Sequence, residues 1–138
     1  MSKNVQAARR ENDYDSLILK ASEGHGVPVA LIKAIIRTES NFNPEAVNPA
    51  DPSAGLMQTT PPTARAMLGR YVSIEDLKDP ATSIEAGARF LSHLIKHYPL
   101  EDAIQMYNLG ETKFLRKGIR APEYLERVKG FLAHYSGR

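Results

Sequence analysis

Strand signals are nearly absent from these 138 residues, because apolar and polar side chains seldom alternate over several positions. A half-buried strand needs that alternation, so little of the chain can enter a sheet. Apolar residues recur at helical spacing instead. The clearest run is 28–40, where Leu31, Ile32, Ile35 and Ile36 fall at i, i+1, i+4 and i+5, and Pro28 suits a first helical turn. A second stripe, Ile84, Ala88, Leu91, Leu94, Ile95 and Tyr98, follows Asp79 as cap and Pro80 at the first helical position. A third starts at Pro122 and puts Tyr124, Val128, Phe131, Leu132 and Tyr135 on one face. Shorter helices are expected over 14–23, stopped by Gly24, over 61–68, and over 100–108, stopped by Gly110. The longest connection, 43–55, carries three prolines and reads as a loop of several turns. The expected fold is an all-α globule of about six or more short helices. It forms one domain over 13–138, behind a flexible segment 1–12.

Charge and composition exclude several classes. A net charge of +2, spread along the chain, is too weak for a nucleic-acid face, and a DNA-binding helical module would need a basic recognition helix. The short basic stretch 116–120 is expected to face water or an anionic wall polymer. With no cysteine, disulfides, thiolate nucleophiles and thiolate metal sites are out. No apolar run approaches 18 residues, so no stable membrane insertion is expected. The polar first sixteen residues lack the apolar core of a secretory signal. His93 and His97 have the i, i+4 spacing of metal ligands on a helix, but the glutamate of a zinc-protease motif and a third ligand are lacking. Neither a metal nor a cofactor is expected.

The chemistry centres on Glu39. Ile35 lies four residues before it and Leu31 eight, so Glu39 continues the apolar face. Apolar surroundings disfavour the charged carboxylate, and the negative end of the helix disfavours it again. A carboxylic acid kept protonated near neutral pH is what a general acid needs. The residues alone favour the plainer reading, in which Glu39 turns out to water at a frayed helix end.

Glu39-Ser40-Asn41-Phe42 closes this helix, and Gly55-Leu56-Met57-Gln58 follows after the loop. DPATSIEAGARFL stands at 79–91, MYNLG at 106–110 and YLERV at 124–128. In this order, over about 15 to 135, the motifs resemble the catalytic domain of soluble, goose-lysozyme-like lytic transglycosylases. Two departures stand out: Gln58 is followed by Thr-Thr-Pro-Pro, and Met106 occupies a place where alanine is usual.

The resemblance implies a lysozyme-like fold with a groove for peptidoglycan glycan strands. Glu39 would be the single acid/base. It would protonate the oxygen between N-acetylmuramic acid and N-acetylglucosamine, then take the proton of the muramic C6 hydroxyl as that oxygen closes a 1,6-anhydro ring. Ser40 would hold the glutamate or a sugar group, and Gly55, Met57 and Gln58 would line the groove. Tyr107 and Asn108 would contact sugar and hold the catalytic helix, and Tyr124 would set its hydroxyl near Glu39. Glu45 and Asp51 in the loop are either turn residues or a second carboxylate. In the latter case water would be the nucleophile and the enzyme a muramidase. A wall-binding module with a dead site would have lost the acid, which is present. A monomer acting on the wall is expected. It would arrive by phage lysis, in a virion or by specialised export, since no exit signal is visible.

Overall fold

The computed structural model describes residues 10–137. Seven helices stand among them: α1 (Asp15–His25), α2 (Val29–Ser40), α3 (Pro61–Leu68), α4 (Pro80–His97), α5 (Leu100–Leu109), α6 (Glu111–Leu115) and α7 (Pro122–Tyr135). Two short strands, β1 (Val47–Asn48) and β2 (Ser53–Ala54), pair antiparallel between α2 and α3, with Val47 opposite Ala54. A 3-10 turn, Asp76–Lys78, precedes α4. The helical class read from the sequence is the class observed.

The helix limits have local causes. Thr60 caps α3 by accepting from the Thr63 N–H, and Asp79 caps α4 by accepting from the Thr82 N–H at 3.1 Å. Prolines occupy the first turns of α3, α4 and α7, where no helical N–H bond is lost. Pro28 sits one position earlier than expected, as the cap of α2. The first helix does not stop at Gly24. It continues to His25 and ends at Gly26, whose φ of 69° lets its N–H reach Ser22 O. Helix α6 was not expected; five residues are too few for a periodic pattern.

Helix α2 runs through the centre. Leu31, Ile32, Ala34, Ile35 and Ile36 are buried, and each of the larger side chains contributes about 1.5–3 kcal/mol by leaving water. This helix packs most extensively on α7, whose Leu125 and Val128 are buried against it. Ile84, Ala88, Leu91 and Leu94 of α4 complete the main core. A smaller cluster, Ala54, Val72, Leu77 and Ala86, sits under the hairpin and joins it to α4.

Of the expected flexible start at 1–12, residues 1–9 lie outside the described residues. Glu11 and Asn12 hold defined contacts. Glu11 accepts from the Tyr135 hydroxyl at 2.7 Å, and Asn12 accepts from Lys33 at 3.4 Å.

Candidate active site

Glu39 stands one residue from the end of α2, in line with the buried Leu31 and Ile35. Its carboxyl turns toward α7, where the Tyr124 hydroxyl donates to Oε2 at 2.7 Å across 85 positions of sequence. Burial pushes the Glu39 pKa from 4.5 up to about 7. The Tyr124 hydrogen bond and the Arg127 guanidinium pull it down, and the Asp51 carboxylate pushes it up. Desolvation wins because one hydrogen bond and a cation do not replace the lost water. Tyr124 is itself raised well above 10, first by burial and then by the Glu39 charge, so it stays a donor at neutral pH.

The chain after Glu39 leaves α2 through two left-handed residues, Asn41 (φ 52°) and Phe42 (φ 61°). Positive φ is unfavourable for a phenylalanine. The ring is fully buried and meets Tyr135 edge-on at 6.4 Å, which holds the turn in place.

The 55–58 turn is fixed by side chains from three helices. Ser40 Oγ of α2 donates to Leu56 O at 2.8 Å. The Tyr107 hydroxyl of α5 donates to Met57 O at 2.7 Å, and Met57 N donates to Ser83 Oγ of α4 at 3.0 Å. Gln58, at φ 52°, folds its amide back, donating to Ala46 O at 2.9 Å and Gly55 O at 2.8 Å while accepting from Ser53 Oγ at 3.1 Å. Gly55 has φ 86°, and a Cβ there would run into the Leu77 carbonyl oxygen.

The expected site residues therefore divide. Glu39 and Ser40 line a groove of about 430 Å³ that is walled by Arg37, Arg127 and Phe131. Gln58, Tyr107 and Asn108 line a cleft of about 240 Å³ together with Asp51, Thr59 and Phe90. Met57 and Gly55 line neither. The Met57 side chain is fully buried against Gly87, where any Cβ would collide with it, so the pliable groove wall expected of Met57 is a core contact instead. Gly55 is likewise buried beneath the turn. Ser40, Gln58 and Tyr107 use polar atoms on the turn's backbone, which makes them scaffold as much as surface.

Three residues were missed. Ser83 and Gly87 are a small pair at i, i+4 on the otherwise apolar face of α4, and that interruption was the available signal. Thr59 lines the cleft, and its buried Oγ1 has no hydrogen-bond partner among the described residues. The two Asx turns of the loop use Asn43, which accepts from Glu45 N, and Asn48, which accepts from Ala50 N. Glu45 and Asp51 are both exposed. His93 faces Glu111 at 3.3 Å, and His97 Nδ1 bonds back to His93 O. No group of three metal-ligating side chains occurs among the described residues.

Replacing Tyr124 by Phe removes the donor to Glu39. The carboxyl then titrates at higher pH, because a bond that favoured its charged form is gone. The turnover rate should fall roughly tenfold or more while the alkaline limb of the pH profile moves up. An unmoved limb would show that Tyr124 does not govern Glu39.

A family profile for the transglycosylase SLT domain matches residues 16–127. Membrane-bound lytic murein transglycosylase C of Haemophilus influenzae (strain PittGG) is 41% identical over 95 residues, which is 64% of this chain and 26% of that protein. Its namesake from Pectobacterium atrosepticum is 41% identical over 96 residues, 65% of this chain and 27% of that one. Among solved structures, an inactive mutant of lytic transglycosylase Slt from Pseudomonas aeruginosa matches with a TM-score of 0.78 at 22% identity. That match covers 91% of this chain and 24% of the other. The 70-kDa soluble lytic transglycosylase of Escherichia coli matches with a TM-score of 0.75 at 25% identity, covering 88% and 24%. The chain spans about a quarter of the length of these proteins. A profile match that runs from α1 into α7 takes in every element that carries Glu39, Tyr124 and the pinned turn, and the chain belongs to the transglycosylase SLT domain family.

Proposed function

We propose that this domain cleaves peptidoglycan glycan strands between N-acetylmuramic acid and N-acetylglucosamine, leaving 1,6-anhydro ends. The observation that carries the reading is the state of Glu39: a carboxyl pushed up to about 7 by burial, set in an open groove, with a tyrosine hydroxyl on one oxygen. Such a group is protonated often enough at neutral pH to give its proton to the glycosidic oxygen. Once ionised it is steadied by Tyr124, and it can take the proton of the C6 hydroxyl as that oxygen attacks the anomeric carbon. The C1–O bond to the leaving sugar breaks, the C6 oxygen–C1 bond forms, and no water is consumed. The relatives carry the printed name lytic murein transglycosylase, which agrees with this chemistry. In this reading the domain acts as a monomer on the glycan strand, with Glu39 as the acid/base. No helix among the described residues is long and apolar enough to cross a membrane, and the substrate is the wall itself.

Asp51 supports the second reading. It lines the cleft, and its charge acts on Glu39, so it could direct a water at the sugar in the manner of a muramidase. Digestion of purified peptidoglycan with mass analysis of the fragments separates the two. Anhydro ends are expected, whereas reducing ends that have gained water would assign the muramidase reaction. The rate should fall as pH rises through about 7, since the acid must begin protonated. A rate that is flat to pH 9 would remove Glu39 as the acid.

A further inference from the structure

The groove that holds Glu39 does not end there. Arg37, Arg127 and Phe131 line both the part beside Glu39 and a further depression of about 460 Å³ that reaches Glu126 and His134. Glu39 and Tyr124 thus each have a cation on their own helix, and the two cations face the same groove. Arg37 precedes Glu39 by two residues on α2. Arg127 follows Tyr124 by three on α7, which places the two on one helical face. The two guanidiniums differ in their contacts. Arg37 is held, facing Glu11 at 3.7 Å, donating to the Tyr135 hydroxyl at 3.4 Å and lying 4.9 Å over the Phe131 ring. The neighbouring Lys129 takes Glu101 at 2.9 Å and Glu126 at 3.9 Å. No carboxylate stands at that range from Arg127 among the described residues. It is exposed, yet close enough to act on the Glu39 charge.

The proposed substrate offers one kind of partner for such a cation. The sugar rings of peptidoglycan are neutral, and its negative charge is carried on the 3-O-lactyl arm of the muramic acid. That arm leaves the ring two ring atoms from the anomeric carbon that is attacked. We infer that Arg127, backed by Arg37, forms a carboxylate subsite beside Glu39 that takes the anionic group on the lactyl arm. This inference rests on the glycan-cleaving reading above. The group is a carboxylate of an attached peptide stem or, on a stem-free strand, the lactyl carboxylate itself. A guanidinium suits either, because its paired N–H groups match the two oxygens of a carboxylate. Arg127 is then a specificity residue. It selects muramic acid strands over uncharged N-acetylglucosamine polymers and fixes the sugar's register over the acid.

The test uses protein carrying Glu39→Gln, so that ligands bind without being cut. Calorimetry follows three ligands: a glycan fragment bearing stems, the same fragment with stems removed, and chitotetraose, which has no lactyl arm. Adding Arg127→Ala should weaken at least one carboxylate-bearing fragment roughly tenfold and chitotetraose less than about twofold. Arg127→Lys should restore part of the loss. The affinity that Arg127 supplies should also fall with added salt, as for any exposed ion pair. A loss confined to the stem-bearing fragment assigns the stem carboxylate, and one confined to the stem-free fragment assigns the lactyl carboxylate. Equal losses on all three ligands, or no loss on any, overturn the subsite while leaving the glycan reading intact. If the Glu39→Gln parent binds none of the three, the glycan reading itself fails, and this inference with it.

Discussion

Glu39→Gln should abolish the proposed strand cleavage and, at pH 8, make the fold more stable. The loss of activity should be at least about a thousandfold, because the proposed proton donor to the leaving oxygen is gone. The gain in stability follows from the pKa. Unfolded, the carboxyl ionises near 4.5; folded, it ionises near 7. A carboxyl raised on folding leaves the fold unpenalised below 4.5 and increasingly penalised as pH rises through about 7. Over the roughly 2.5 units between the two values, at about 1.4 kcal/mol per unit, the penalty above pH 7 comes to about 3 kcal/mol. Glutamine keeps an oxygen for the Tyr124 hydroxyl and carries no charge to desolvate. Thermal melts of both proteins at pH 4 and pH 8 test this directly. The two should melt within a degree or two of each other at pH 4, and the variant roughly 10 °C higher at pH 8. Equal melting at both pH values would mean that the carboxyl is not held in a desolvating site.

Gly55→Ala should damage the protein more than its small volume suggests. The added methyl meets the Leu77 carbonyl oxygen, which is backbone and cannot swing away, and the residue sits at φ 86°. Clash and strain together place the loss at about 3–5 kcal/mol, a fall in melting temperature of roughly 10 °C or more. Gly24→Ala is the control. Gly24 lies inside α1, and a Cβ there would touch nothing within 4 Å, so the change should stabilise by up to about 1 kcal/mol. If the two variants melt alike, the turn is less rigid than its contacts imply. Any Gly55→Ala protein that folds should also cut poorly, since the Leu56 and Met57 carbonyls that Ser40 and Tyr107 hold would have moved.

How far the sequence could be read follows from what periodicity encodes. Helices α2, α4 and α7 are long enough to repeat an apolar face several times, and their limits carry prolines and a cap. Glu39 was visible because a charged residue in register with Leu31 and Ile35 breaks a pattern. The β1–β2 hairpin and α6 were not visible. Two residues per strand cannot show an alternation, and the hairpin is held by hydrogen bonds from Gln58 and Ser53 rather than by a stripe. Met57 misled for a related reason. Gln58 beside it lines the cleft, but whether Met57's own side chain points in or out depends on Gly87, thirty residues away.

The bond from Tyr124 to Glu39 has a consequence in time. Tyr124 follows Glu39 by 85 positions, so during synthesis the fourteen residues of α7 emerge well after the carboxyl they complete. Until they dock, the carboxyl has neither its tyrosine nor the wall that dries it. On the proposed reading, the acid is therefore incomplete until α7 closes over it, and the order of synthesis itself delays the activity.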